Sequence, residues 1–207
     1  MVTTADWARA KGYSGESVQP AIEGLHHVFP HIACEIALRA IILQGVVLAG
    51  YDVDPEPIIE WFQEQGIWEA VSPREQQFLL NDMPTDEESN RFRWRDETEW
   101  TLLWMIGKVK VLGLPTHLCD FRLMIDEIIP PVGTDIKEFF TSAELRDPDV
   151  LIAEDLRTYD LWCDVCAAHR QKKPLPDDLD IGVLFQRRYA FEWLDGLDEW
   201  DDVTCDA

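Results

Sequence analysis

The sequence predicts an all-α protein, a single compact multi-helix domain built around a buried central helix. Three observations carry this expectation. No segment shows the period-two alternation or β-branched clustering of a strand. Capping signatures open one helix after another along the chain. And the stretch from Arg93 to Gly113, RWRDETEWTLLWMIGKVKVLG, is apolar around most of a helical circumference, which demands burial on several sides.

That stretch reads as the central helix. Glu97 and Glu99 sit early in it and Lys108 and Lys110 late, complementing the helix macrodipole at both ends, and Gly113 followed by Leu114 and Pro115 stops it. Gly107 inside a helix costs about 1 kcal/mol relative to Ala, a loss offset if another helix backbone crosses closely there. The remaining elements follow in order. Residues 1–30 form an irregular arm with room for one short helix, since Gly12, Gly15, Pro20 and Gly24 interrupt it. Pro30 opens a mostly apolar helix that runs to Gly50, with Glu35 and Arg39 at the i,i+4 spacing that permits pairing. Asp54-Pro55 starts the next helix and Gly66 closes it. Ser72 with Glu75 is a capping box, and Thr85 followed by Asp86, Glu87 and Glu88 is another, whose helix either joins the central one or bends near Asn90. Helices are also expected from Asp120 to Ile129, around Asp135 to Ser142, from Asp147-Pro148 to Arg170, and from Gly182 to Leu194, with Gly196 ending the last. Residues 31–207 thus form one helical domain.

Composition bounds the function. At 207 residues with 46% hydrophobic content, nine Trp and nine Phe, the chain supports a real core despite its charge. Forty acidic against eighteen basic side chains give a formal charge of -22, which repels phosphate backbones and attracts basic proteins. Nucleic acid and membrane are not expected partners. The N-terminus has no signal-peptide pattern, and the strongest apolar run, Ile32 to Gly50, is interrupted by Glu35, Arg39 and Gln44. Five scattered cysteines fit a reducing compartment, so a cytoplasmic location is expected.

Several stretches together resemble the family catalogued as domain of unknown function 4272. They are Glu35-Ile36-Ala37 with Arg39-Ala40, Trp94-Arg95 with Glu97, Leu103-Trp104 with Gly107, and Asp155 with Trp162. Towards the end come Gly182-Val183 with Arg187, Tyr189-Ala190 with Trp193-Leu194, and Trp200-Asp201-Asp202-Val203. The resemblance runs from about Ile32 to the end and implies a compact, mainly helical bacterial domain; it assigns no catalytic role. The chain departs from the family pattern at three places: Gln186 and Glu192 stand where Glu and Asn are expected, and Tyr159 where Arg is expected. If those positions form an active site in relatives, this chain has lost it.

Several constellations bear on chemistry. Arg39, Arg95, Glu97, Asp155 and Arg187 lie on helices that must pack together. They either pair with one another to fix helix register, the favoured reading, or line a pocket for a small anion or nucleotide through guanidinium contacts. Cys163, Cys166 and His169 have ligand types at helical spacing but no second pair, and read as core thiols rather than a zinc site. Glu23 with His26, near His27 and His31, has one Glu-x-x-His pair where a di-iron bundle needs two. Asp195, Asp198, Glu199, Asp201, Asp202 and Asp206 concentrate acid near the end, either as a solvated end with Trp200 folded onto the core or as a surface for a basic partner. Phosphate-loop, dinucleotide and zinc-protease motifs are absent, and Gly12-Tyr13-Ser14-Gly15 is one residue short of a nucleophile elbow. No catalytic residue, metal or cofactor is assigned. The expectation is a non-enzymatic protein-binding module, in the manner of an immunity or inhibitor protein against a basic partner; the alternative is a small-ligand binder or enzyme using the arginine cluster.

Overall fold

A computed structural model of the protein describes residues 4–12, 29–175, 178–196 and 198–205. The described residues contain helices and no strand. Helix α1 spans Thr4–Ala10, α2 Ala33–Gly50, α3 Pro55–Glu64, α4 Pro73–Leu79 and α5 Asp86–Arg93. Helix α6 spans Arg95–Met105, α7 Phe121–Leu123, α8 Lys137–Thr141, α9 Pro148–Arg170 and α10 Ile181–Asp195.

The local signals explain most of the starts. Asp54 accepts from the Glu56 N–H at the head of α3, where Pro55 supplies the preset φ of a first helical residue. Ser72 and Glu75 cap α4 reciprocally, as Thr85 and Glu88 cap α5. Asp147 and Asp180 accept from backbone N–H groups at the starts of α9 and α10.

Packing follows a simple order. Helix α2 lies against α6 and α5, α6 against α10, α10 against α9, and α9 against α1. Every residue of α6 from Asp96 to Met105 is buried, the acids of its first turns included. Helix α2 is apolar and long enough to cross a bilayer, but 72% of it is buried among neighbouring helices. The main core joins α2, α6 and the inner face of α10, while a smaller one gathers Trp7, Ala8, Leu161, Val165 and Leu184 where α1 covers α9 and α10. Part of the expected irregular arm is thus a docked helix. The expected glutamate–histidine motif at Glu23 and His26, with His27, lies outside the described residues, as do Ser14 and Asp206.

Several expectations are corrected. The central helix is shorter than the stretch from Arg93 to Gly113: it ends at Met105, and Gly107 adopts φ +75°, a left-handed conformation rather than a helical one. The Lys108 N–H reaches the Leu103 carbonyl at 2.9 Å and the Gly107 N–H reaches that of Trp104 at 3.1 Å, the pairing of a Schellman stop. The nearest atom to a Cβ at Gly107 would be the Glu144 carbonyl at 3.6 Å, so the glycine serves the turn and not a helix crossing. Lys108 and Lys110 fall beyond the helix end; Arg146 takes their place, donating to the Trp104 carbonyl and, at 2.6 Å, to that of Val109. Pro30 precedes rather than starts α2. Of the two courses open to the helix after Thr85, α5 runs up to the central helix and turns into it at Trp94 rather than bending near Asn90. The segment after Asp120 is a helical turn running into a π-helical stretch, Met124–Ile128.

Candidate functional site

Of the five residues read as one charged cluster, three local arrangements emerge. Arg39 pairs with Glu75, not with Glu35: its Nη2 is 2.5 Å from Oε2 of Glu75, both side chains are buried, and the guanidinium lies 4.6 Å from the Trp200 ring. Arg95 stacks 3.6 Å over Tyr189, donates to Gln186 at 3.2 Å, and lies 5.6 Å from the same Trp200 ring. Arg187 donates to the carbonyls of Leu112, Gly113 and Leu114 and so fixes the segment leading to Cys119, beside Glu97. Asp155 lies apart, 2.6 Å from Arg188. Two of the departures from the family pattern meet that same arginine: Glu192 pairs with it, and Tyr159 lies 4.9 Å beneath it.

The acidic end folds back as Trp200, which is buried against Tyr189 and Trp193. Asp201 accepts from the Ser72 hydroxyl at 2.7 Å and the Arg74 N–H at 2.9 Å, which anchors the end on the start of α4. Asp195, Asp198, Glu199 and Asp202 remain exposed. A cleft of about 560 Å³ runs between these elements, and it carries acidic Glu69, Glu199, Asp201 and Asp202 opposite Arg39 and Arg74.

A larger cleft, about 770 Å³, is formed by the turn from α2 to α3, the outer face of α3, and the segment joining α4 to α5. Its floor is apolar, with Ala49, Ile59, Phe78 and Leu79. Its rim is acidic: Asp52, Asp54, Glu56, Glu60 and Asp82 line it, and no Lys or Arg does. Of the rim's apolar residues, Leu80 is 63% exposed and Val53 44%, and neighbouring Met83 is 85% exposed. Apolar side chains of this size standing in water beside a concave acidic rim mark a contact surface.

The first turns of α6 hold a second unexpected feature. Asp96, Glu97 and Glu99 are all buried there, with the favourable end of the helix dipole beside them. Asp96 accepts from its neighbour's N–H at 2.7 Å and from the Tyr51 hydroxyl at 3.2 Å. Glu97 accepts from the Cys119 N–H through Oε1. Its Oε2, and both carboxylate oxygens of Glu99, have no hydrogen-bond partner. Burial, then the charge of Glu97, raises Asp96 to about 7. Burial also raises Glu97, against the opposing pull of the Cys119 N–H and Arg187, and raises Glu99 well above the carboxylate range with Asp96 adding to the effect. The Cys119 thiol is pushed up by burial and by all three carboxylates. Glu97 is thus set apart from most of the arginines it is grouped with in sequence, and Glu99 does more than face the helix dipole; the local signal for the group is three acids within four residues of a helix that has to be buried.

A family model described as Domain of unknown function (DUF4272) matches residues 3–203. No curated protein and no solved structure matches the chain.

Proposed function

The chain belongs to the family described as domain of unknown function 4272, and we propose that it is a non-enzymatic protein-binding module whose larger cleft receives a basic, partly apolar segment of a partner protein. The observation that carries this reading is the combination of an apolar floor, exposed Leu80 and Val53, and a rim whose lining charges are all acidic, of which, among the described residues, Asp52 alone is ion-paired, with Arg93. A cationic amphipathic helix or strand places its apolar side chains on such a floor and its Lys and Arg against such a rim. The formal charge of -22 extends the attraction over the whole surface and speeds encounter with a basic partner. Neutralisation of a basic effector, as an immunity or inhibitor protein does, is the biological form this binding takes, and the exposed Asp195, Asp198, Glu199 and Asp202 add to the same field.

The alternative, a small-anion or nucleotide site on Arg39, Arg95, Glu97, Asp155 and Arg187, finds less support. Those side chains are divided among three places, Arg39 is already paired, and the cleft beside it is lined by four carboxylates.

The test compares the wild-type chain with a Glu56→Lys/Glu60→Lys/Asp82→Lys variant in affinity capture from native cells, at low and raised salt, with cross-links mapped on the chain. A stoichiometric basic protein that cross-links beside Leu80, leaves at raised salt and is lost from the variant is the expected result. Capture of nothing, or of a partner held equally by the variant, overturns the proposal.

A further inference from the structure

Buried acids without partners are expensive, because each charged form has to leave water for a medium that solvates it poorly. The cation that acts on Glu97 is Arg187, and its hydrogen bonds go to backbone carbonyls rather than to a carboxylate. Among the described residues, Asp96, Glu97 and Cys119 are the group of possible metal ligands that stand close enough to share one ion, with one donor atom of each lying within 4.8 Å of the others. We propose that Asp96, Glu97 and Cys119 form a site for a borderline-soft divalent cation of the Zn²⁺ class.

The donor set selects that class. A thiolate among carboxylates suits zinc, cobalt or ferrous iron, whereas magnesium and calcium take oxygen shells without sulfur. Bond lengths of about 2.0–2.3 Å to oxygen and sulfur place donors up to roughly 4 Å apart. The observed spacing therefore closes on an ion with side-chain shifts of the order of 1 Å. Two further observations point to a ligand independently of the acidic cluster itself. Oε2 of Glu97 is fully buried inside the group and accepts from nothing. Glu99, also fully buried, leaves both oxygens unpaired.

The supporting contacts already orient the ligands. Tyr51 holds one oxygen of Asp96, the Glu97 N–H holds the other, and the Cys119 N–H holds Oε1 of Glu97 and turns Oε2 free. Arg187 fixes the strand of chain that delivers Cys119. Three protein donors leave a fourth tetrahedral position for a water molecule. Cys119 is only half-buried, so the group stands at the border of the core rather than at its centre.

The full-length protein, stripped with a chelator, is titrated with Zn²⁺ by calorimetry and with Co²⁺ by absorption spectroscopy. One equivalent per chain and a thiolate-to-cobalt charge-transfer band are expected from the wild type. The band should vanish in Cys119→Ser and persist in a Cys163→Ser/Cys166→Ser variant, and Glu97→Gln should weaken Zn²⁺ binding at least about tenfold. A wild-type protein that takes up no stoichiometric ion, or a cobalt band that survives Cys119→Ser, overturns the proposal. The wild-type titration needs no substitution, so a variant that fails to fold does not blunt the test.

Discussion

Arg39 keeps its charge inside the core because Glu75 performs two tasks with one carboxylate. Oε2 of Glu75 accepts from the Ser72 N–H at 3.1 Å, closing the capping box of α4, and meets Arg39 at 2.5 Å. A capping residue is legible in sequence; its second role is not, since Arg39 arrives from another helix. Arg39→Met leaves Glu75 buried without its counter-charge and should cost roughly 3–5 kcal/mol in urea unfolding. Adding Glu75→Gln to that variant should restore a large part of the loss, because a neutral side chain keeps the cap without a stranded charge. Single variants that lose under 1 kcal/mol would show that water reaches the pair. Glu35 does not take that place although it stands four residues before Arg39: its carboxylate accepts from the Ile32 N–H at 3.0 Å and stands half in solvent at the start of α2.

At the scale of elements, a boundary was legible where a local residue sets it, as at the starts at Ser72 and Thr85 and the stops at Gly66 and Gly196, and illegible where distant residues do. Asp54, Ser72, Thr85, Asp147 and Asp180 announce helices because a capping side chain acts within three residues of itself. The stop of α6 depends instead on Arg146 and Glu144, far along the chain, which satisfy carbonyls that would otherwise continue the helix. The clefts were illegible for a related reason: the acid-rimmed one is assembled from three separate segments, and only its charge, not its shape, is written locally. The turn from α5 to α6 at Trp94 is likewise tertiary, as its ring fills the space a side chain at Gly182 would need; a Cβ there would lie 2.5 Å from the indole. Gly107→Ala forces an L-residue to φ +75° and should lower stability by about 1–2 kcal/mol, measured by denaturant midpoint. Were Gly107 a helical residue packed for close approach, Ala would favour the helix and the midpoint would rise whenever the space sufficed. A rise therefore contradicts the stop.

For the molecule as a whole, the formal charge of -22 and the position of its buried carboxyls set how stability varies with pH. Asp155 illustrates the sign. Burial, together with Asp195 and Glu192 and against the pull of Arg188, raises its pKa from 3.8 to about 6. The folded state therefore holds this proton more tightly than the unfolded chain, and stability is lost as pH rises from about 4 to about 6 and regained as it falls. A shift of that size corresponds to roughly 3 kcal/mol. Repulsion among surface carboxylates acts in the same direction, since protonation relieves it. Stability should accordingly rise when pH is lowered from about 7 to about 5, measured at fixed ionic strength on chelator-treated protein so that the group at Asp96, Glu97 and Cys119 holds no ion. Added salt at pH 7 should recover only the surface part of that gain, because screening reaches exposed charges far better than a carboxyl packed between α9 and α10. Asp155→Asn isolates one buried contribution: it leaves Arg188 paired with Glu192, removes one buried charge, and should lessen the slope between pH 4 and 6, with Asp96, Glu97, Glu99 and the surface supplying what remains, while leaving the salt response unchanged. A wild-type stability that falls over the same interval, or a variant with an unaltered slope, would place the acid-sensitive charges elsewhere in the molecule.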